Sequence, residues 1–270
     1  MSRTLLDSLI SPGSRSAARQ SAVRFLRGID PANSRYSNLT APVVLVGAAR
    51  GGTTLLANLV GAYPEIEIFH ERFTQGKASY ADTFGRTRGT QELQRAFVRY
   101  LPRDLKQANA RWGVKICTYH WRREDYDRFL AAFPRTQVVF VLRDGRDVLI
   151  SMLKRSKIFR TPEQCAARWL ESVQVYDYLC NKLPRQLLSF HYEDLVLTPA
   201  KQMETICAFL GVTFRVELLD PQTWPRHGSY AIAPVTAEKA GKWRTEGVPP
   251  LPVDLSSQFA ASLARLGYGD

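Results

Sequence analysis

Short apolar runs alternate with segments of helical spacing along most of the chain after residue 40. Five runs predict buried strands: APVVLVGA (41–48), EIEIF (65–69), RWGVKIC (111–117), TQVVFVLRD (136–144) and RQLLSFHYEDL (185–195). Apolar residues three and four apart predict helices at 53–63, 162–183 and 199–211, and a last helix, DLSSQFAASLARLG (254–267), capped by Asp254 or Ser256. Strands that alternate with helices predict an α/β fold with a central parallel sheet flanked by helices on both faces.

Composition divides the chain into two parts. Residues 1–40 are rich in Ser and Arg and contain two short helical patterns, so we predict an N-terminal helical appendage before one domain at 41–270. No apolar run approaches the roughly 20 residues of a membrane span, and the N-terminus lacks the apolar core of a secretory signal. These features predict a cytoplasmic protein. The basic pattern ARQSAVRFLRG (18–28) leaves peripheral contact with an anionic membrane as a minority interpretation.

Positive charge is in excess and is unevenly distributed. The formal net charge is +12, and residues 76–123 carry eleven Lys and Arg against three Asp and Glu. Such an excess indicates an anionic partner (a nucleotide, an acidic acceptor, nucleic acid or a membrane surface) or else a solvated basic face. The four cysteines show no metal-ligand spacing, which predicts reduced thiols, most of them buried.

A glycine-rich turn connects the first predicted strand to the first predicted helix, in VGAARGGTTLL (46–56). A loop that holds a nucleoside triphosphate has lysine where this chain has Thr53. Arg50 instead adds a planar cation inside the turn. Backbone amides at the helix start still form an anion nest, from Gly51, Gly52, Thr53 and Thr54. The loop therefore suits a 5′-phosphate that carries one further anionic group rather than a magnesium-bound triphosphate.

A second anion site is predicted in FVLRDGRDVLISMLKRS (140–156). The strand delivers Arg143 at its carboxyl end, where open α/β sheets bind ligands. Ser151 and Arg155 follow on the next helix, and the three side chains together can hold a separate phosphate by charge-assisted bonds. The alternative is a local set of ion pairs within the segment, formed by Arg143, Arg146, Asp144 and Asp147.

Two anion sites on one sheet match 3′-phosphoadenosine 5′-phosphosulfate (PAPS), and the sequence resembles the PAPS-dependent sulfotransferases. Within them it is most similar to the tyrosylprotein and Golgi-type carbohydrate enzymes, as a soluble, bacterial-type member. Four motifs carry the resemblance, in family order: RGGTTLL (50–56), Arg143 with Ser151 eight residues later, HYEDL (191–195) and AGKWR (240–244).

The resemblance implies a P-loop-containing nucleotide-binding fold and transfer of a sulfuryl group from PAPS to a hydroxyl acceptor. Adenosine 3′,5′-bisphosphate is then the product, and no metal is required. The same resemblance assigns Tyr192 to the adenosine side of the cofactor and Lys242 to its phosphates. Trp243 is interpreted as a core residue rather than a stacking platform.

The resemblance also assigns three catalytic residues. Arg50 and Lys115, the latter on the third predicted strand, are cations that stabilise charge on the leaving phosphate. Glu71 stands at the family's spacing, 21 residues after Arg50, and is the expected general base for the acceptor hydroxyl. The alternatives are His70 as the base and a structural ion pair of Glu71 with Arg72 or Arg50.

Two other functions are alternatives to this one. A P-loop kinase-like phosphotransferase that uses ATP and Mg²⁺ is disfavoured by the missing loop lysine, and a nucleic-acid binder by the lack of a recognised motif. The acceptor stays open among a glycan, a glycolipid, a peptide tyrosine and a small molecule. An anionic acceptor is one hypothesis, based on arginines of the stretch 72–111: Arg86, Arg88, Arg95, Arg99 and Arg103. Family members often form homodimers, and the sequence leaves the oligomeric state open.

Overall fold

A computed structural model of the protein describes residues 41–70, 80–98, 111–224 and 235–269. Several sequence predictions fall on residues outside these ranges: the helical appendage at 1–40, the base Glu71, and Arg72, Arg99 and Arg103.

Five parallel strands form one sheet in the order β2-β3-β1-β4-β5. They are β1 (Val43–Gly47), β2 (Ile66–His70), β3 (Arg111–Cys117), β4 (Gln137–Leu142) and β5 (Leu187–His191). The central strand is β1, whose Val44 pairs with Val114 of β3 on one side and with Val138 of β4 on the other. The predicted parallel α/β sheet and its five strands are confirmed.

Helices of the described residues connect these strands and cover the sheet. They are α1 (Thr53–Gly61), α2 (Tyr80–Arg86), α3 (Thr90–Val98), α4 (Arg123–Ala132), α5 (Gly145–Arg155), α6 (Pro162–Lys182), α7 (Tyr192–Leu197), α8 (Pro199–Leu210), α9 (Trp243–Glu246) and α10 (Val253–Arg265). Short 3₁₀ turns lie at Thr118–His120, Val216–Leu219, Pro221–Thr223 and Ala237–Lys239. The four helices predicted from periodicity correspond to α1, α6, α8 and α10.

Apolar side chains fill both faces of the sheet. Val44 and Val46 of β1 point into one buried cluster, whereas Val43 and Leu45 point into a second cluster on the opposite face. A parallel strand covered on both faces has no solvated position, which explains why β1 is apolar and buried throughout. The predicted thiols are also found: all four cysteines are free, and three of them are buried.

Two element boundaries differ from the sequence predictions. The segment HYEDL does not continue β5 as a strand, because α7 begins at Tyr192 with two carboxylates in its first turn, where they favour the helix dipole. Neither Asp254 nor Ser256 caps α10, since this helix already begins at Val253, directly after Pro252. Asp254 instead lies in the first helical turn.

The strand order places a ligand crevice between β1 and β4. After β1 the chain moves toward the β2 edge of the sheet, and after β4 it moves toward β5. Such a reversal opens a crevice at the carboxyl ends of the two neighbouring strands. The glycine-rich turn follows β1 and Arg143 follows β4, so both predicted anion sites meet at this point.

Candidate active site

A cavity of 680 Å³ opens at the carboxyl ends of β1, β3 and β4. Among the described residues, seven basic side chains line it against two carboxylates. The basic residues are Arg50, Lys115, Arg143, Lys154, Arg155, Lys239 and Lys242, and the acidic ones are Asp147 and Glu246. Charge of one sign in a cleft with low-dielectric walls attracts an anion of opposite charge, so the cavity favours a ligand with several negative charges.

The cavity brings together nearly all the described residues that the sequence assigned to the site. These are Arg50, Gly52, Thr53, Thr54, Lys115, Arg143, Ser151, Arg155, Tyr192 and Lys242. Gly51 forms the adjoining turn without lining the cavity. Glu71 lies outside the described residues, and the alternative base His70 ends β2 in register with Lys115 of β3.

Glycine determines the shape of the turn after β1. The Gly51 N–H donates to the carbonyl of Ala48 at 2.9 Å and closes the turn. Gly52 has a φ of +99°, and a β-carbon at this position would lie 2.3 Å from the Tyr192 ring. A side chain is therefore excluded twice, by the backbone conformation and by the space that the ring occupies. Helix α1 starts immediately afterwards, and its first amides have no partner within the helix, which suits an anion.

Arg50 holds a strained backbone position inside this turn. Its φ is +63°, a conformation that costs a non-glycine residue on the order of 1–3 kcal/mol. Its carbonyl accepts a hydrogen bond from the Arg143 guanidinium at 2.8 Å, and its Nε donates to Ser151 Oγ at 3.3 Å. Burial, followed by the charges of Arg155 and Arg143, lowers the pKa of Arg50. A bound anion would offset this repulsion between neighbouring cations.

Arg143 extends from the end of β4 into the centre of the basic cluster. Its guanidinium donates to the carbonyls of Arg50 and Lys239, lies 4.4 Å from the Tyr192 ring centroid, and is 3.8 Å from the Asp147 carboxylate. Its Nε is buried and has no hydrogen-bond partner within the part of the chain that the structure describes. Because a buried donor without an acceptor is costly, this atom fits a phosphate oxygen of a bound nucleotide.

The local ion pairs of the alternative are present for both arginines, but only Arg143 also lines the cavity. Arg146 makes a forked pair with Asp144, with the Nη2 to Oδ2 distance at 2.9 Å, and does not line the cavity. Asp144 also accepts the Arg146 backbone N–H and thereby caps α5. Arg143 is near Asp147 as well, but most of its contacts are to other segments. The helix that follows carries Ser151 and Arg155 into the cavity wall.

Residues 237–246, here called the strap, pack beside α5 and contribute Lys239, Lys242 and Glu246 to the cavity. Lys242 is assigned to the phosphates by the family resemblance, whereas no sequence motif marks Lys239, which stands three residues earlier. Burial, and then the charges of Arg155 and Arg143, lowers the pKa of Lys239. This shift indicates that Lys239 belongs to the same cluster of cations.

The prediction that Trp243 is a core residue is wrong. Its half-buried ring lies between two guanidinium groups, 3.5 Å from that of Arg146 and 4.5 Å from that of Arg244. Stacking of this kind is a favourable cation–π arrangement. It attaches the strap to the start of α5 rather than to either apolar cluster.

The remaining cavity wall differs from the expectation of an arginine-rich acceptor side. Lys115 is buried, with 2% of its surface exposed, and lies beside Cys117 at the end of β3. The described arginines of the anionic-acceptor hypothesis, which are Arg86, Arg88 and Arg95, are exposed and do not line the cavity. Apolar side chains line it instead, among them Tyr119, Ile158 and Phe159. The rings of Tyr119 and Phe159 meet edge to face with centroids 5.7 Å apart.

The sequence profile of the sulfotransferase family matches residues 42–215, which include the turn after β1 and the whole of β4 and α5. The chain belongs to the sulfotransferase family. It is similar to Protein-tyrosine sulfotransferase 1 of Danio rerio, with 24% identity over 264 residues, or 86% of this chain and 73% of that protein. It is therefore an enzyme of the sulfotransferase type.

Solved structures share the fold of this sulfotransferase. The sulfotransferase domain of the Synechococcus PCC 7002 olefin synthase superposes with a TM-score of 0.62 at 19% identity, over 85% of this chain and 95% of that one. A mouse sulfotransferase complexed with PAP gives a TM-score of 0.51 at 13% identity, over 86% of this chain and 90% of that one. At these identities the similarity shows the fold alone, and it confirms the predicted nucleotide-binding architecture.

Among the described residues, His, Cys, Asp and Glu side chains nowhere gather in threes as a metal-ligand set. Within the same residues, each helix is either too short or too polar to pass through a lipid bilayer.

Proposed function

We propose that this sulfotransferase uses PAPS as its sulfuryl donor and a hydroxyl group as its acceptor, and that it releases adenosine 3′,5′-bisphosphate. The observation that carries the proposal is that the two predicted anion sites line one cavity, around the Arg143 Nε, which has no hydrogen-bond partner among the described residues. A nucleotide with a 5′-phosphosulfate and a 3′-phosphate presents two separated anionic groups. The PAP named in the mouse structure is consistent with this ligand class.

The two ends of the nucleotide are assigned to different elements. The turn after β1, with Arg50 and the amides at the start of α1, is proposed to hold the 5′ group. Arg143 and Ser151, with Arg155 beside them on α5, are proposed to hold the 3′-phosphate. Tyr192 packs against Gly52 between these elements, which supports its assignment to the adenosine side. Lys242 and Lys239 of the strap add charge to the phosphates.

The transfer itself requires a base and charge stabilisation. The sulfur–oxygen bond to the donor phosphate breaks while a sulfur–oxygen bond to the acceptor forms, and the acceptor proton leaves with a base. Glu71 is proposed as that base, with His70 as the alternative. Arg50 and Lys115 are proposed to stabilise negative charge that develops on the leaving phosphate oxygen.

The acceptor class, the cellular location and the oligomeric state are also proposals. The names of relatives such as the Danio rerio enzyme favour peptide tyrosine as the first acceptor to test. A glycan, a glycolipid and a small phenol follow, with an anionic character of the acceptor kept as a hypothesis. A cytoplasmic location, independence from metal, contact of residues 18–28 with a membrane surface and a homodimer all stay predictions.

The test is transfer of ³⁵S from labelled PAPS, in EDTA, to a panel of tyrosine peptides, glycans, glycolipids and phenols. The proposal predicts labelled product with at least one acceptor class. Glu71→Gln should lower the rate about 10²–10⁴-fold while binding of adenosine 3′,5′-bisphosphate is retained, because a general base contributes this much and does not hold the nucleotide. The matched control is His70→Gln, whose rate should stay close to that of the unmodified enzyme. The reverse pattern would make His70 the base.

A further inference from the structure

One carboxylate of the cavity wall is opposite in sign to what an anion site requires. Asp147, in the first turn of α5, lines the cavity, and its side chain is fully buried, with 0% exposed. A buried negative charge beside bound phosphates weakens their binding through the field alone. A second contribution from Asp147 must therefore be sought in its contacts.

Asp147 connects α5 to the strap through two backbone hydrogen bonds. The Gly241 N–H donates to Oδ2 at 2.7 Å, and the Trp243 N–H donates to Oδ1 at 3.0 Å. Hydrogen bonds to an ionised acceptor are roughly twice as strong as neutral ones, more so away from water. The residue between the two donors is Lys242, so both sides of this cation are fixed to α5.

Other described contacts also hold the strap against the repulsion inside the cavity: the Trp243 ring stacks on Arg146, Arg143 donates to the Lys239 carbonyl, and Ala240 packs against the second apolar cluster. None of these contacts fixes the backbone on both sides of Lys242. Lys239 lies among cations, and burial, followed by the charges of Arg155 and Arg143, lowers its pKa. Helix α9 has only four residues and is too short to be stable alone. An ion pair between Lys154 and Glu246, at 2.7 Å, joins the strap to the end of α5, but both side chains are substantially exposed and such pairs contribute little.

We propose that Asp147 is a positioning residue that clamps the strap to α5, so that Lys239 and Lys242 are in place for the phosphates of the nucleotide. The identity of that nucleotide rests on the proposed function. The clamp itself is a property of the chain without ligand. Loss of the clamp should therefore disorder the strap even when no nucleotide is present.

The charge of Asp147 makes a role through the field and a role through contacts distinguishable by the sign of the change in binding. Hydrogen exchange of the strap then separates the two strap bonds from the 3.8 Å ion pair of Asp147 with Arg143. Asp147→Asn removes a negative charge, so an effect through the field alone would tighten the binding of adenosine 3′,5′-bisphosphate. Loss of the clamp predicts the opposite, weaker binding by about tenfold, since charge-assisted bonds that order two cations are lost. Glu246→Gln is the control, because it removes one charge from the same wall but only an exposed ion pair. Its affinity should be unchanged or higher.

Hydrogen exchange of the ligand-free protein gives a readout independent of the nucleotide. Amides of the strap should exchange faster in Asp147→Asn than in the unmodified chain, with no change in Glu246→Gln. If Asp147→Asn does not fold, Gly241→Ala disturbs the clamp from the strap side. Its φ is +73°, and a β-carbon there would lie 2.9 Å from the Arg244 guanidinium. It should likewise loosen the strap and weaken binding.

Each outcome decides one of the two proposals. Faster strap exchange together with weaker bisphosphate binding supports the clamp. The clamp is overturned if Asp147→Asn binds the bisphosphate more tightly, or if hydrogen exchange of the strap stays unchanged in both Asp147→Asn and Gly241→Ala. Failure of the unmodified protein to bind the bisphosphate refutes the proposed function instead, and the exchange comparison still decides the clamp.

Discussion

The turn after β1 and the strap bring donors and positive charge to the same cavity, but they are held there in different ways. The turn directly connects β1 to α1. Its shape follows from the positive φ of Arg50 and Gly52 and from the hydrogen bond between the Gly51 N–H and the Ala48 carbonyl, three residues apart. The strap is held by Asp147, more than 90 residues earlier in the chain. One half of the site thus depends on local backbone geometry and the other half on a tertiary contact.

We expect the largest loss of nucleotide binding from one β-carbon added to the turn. Gly52→Ala places a β-carbon 2.3 Å from the Tyr192 ring at a φ of +99°. We expect binding of adenosine 3′,5′-bisphosphate, measured by calorimetry, to fall about 100-fold or more, because strain and clash together exceed about 3 kcal/mol. Gly211→Ala is the matched control, since Gly211 also has a positive φ, +71°, but open space around it. It should lower the melting temperature and leave binding intact; equal losses in both variants would mean that the Tyr192 contact is unimportant.

Arg143 joins the two halves, since its guanidinium donates to carbonyls of the turn and of the strap. We expect Arg143→Ala to weaken bisphosphate binding about 30- to 100-fold, within the range for hydrogen bonds to charged groups. Arg143→Lys should recover little of this loss, because lysine keeps the charge but not the fork of donors. Arg265→Ala, which removes an exposed partner of Asp177, is the control. Full recovery by lysine would show that only the charge matters.

Ser151 tests the contact between the turn and α5 on a smaller scale. Its hydroxyl accepts from Arg50 Nε and is proposed to reach the 3′-phosphate. We expect Ser151→Ala to weaken bisphosphate binding about three- to tenfold, as for one hydrogen bond. Adenosine 5′-phosphosulfate, which has no 3′-phosphate, should be much less sensitive to the change. Equal sensitivity of the two ligands would remove Ser151 from the 3′ site.

The smallest expected effect is a pH dependence of bisphosphate affinity that arises from Lys239 of the strap. Burial and neighbouring cations lower the pKa of Lys239 below its ordinary value of 10.5. Only the protonated amine attracts a phosphate, and the bound anion raises the pKa again. Affinity should therefore be complete below the lowered pKa of the free protein and should decline, about two- to fivefold, as pH rises through it. Lys239→Arg should abolish this decline; a decline that persists would assign it to another group.

The same contrast explains how much the sequence could predict. The five strands, the turn after β1 and the placement of Arg143 and Ser151 in one cavity all follow from patterns within a few residues of one another. The strap residue Lys239 and the clamp Asp147 carry no such pattern, because their roles depend on elements that meet only in the folded chain. The position of the Trp243 ring is unpredictable from the sequence for the same reason, since its partners Arg146 and Arg244 come from two different segments.

Local preference also fails at the boundary between β5 and α7, where tertiary contacts decide. The sequence pattern predicts a strand that includes Tyr192. In the structure a helix starts at Tyr192, and the ring of this residue lies against Gly52 and the Arg143 guanidinium. The neighbouring Glu193 accepts the Asp144 N–H and the Tyr268 hydroxyl, and burial raises the pKa of this carboxyl. These contacts, all distant in sequence, fix the orientation of α7 beside the cavity.

The most direct test of the central claim is calorimetric titration of the unmodified protein with adenosine 3′,5′-bisphosphate in EDTA, alongside ATP with Mg²⁺. A PAPS-dependent sulfotransferase with two anion sites and no loop lysine should bind the bisphosphate in the micromolar range without metal, and ATP much more weakly. Tight binding of ATP that requires Mg²⁺, with no binding of the bisphosphate, would contradict the account and indicate a kinase-like phosphotransferase.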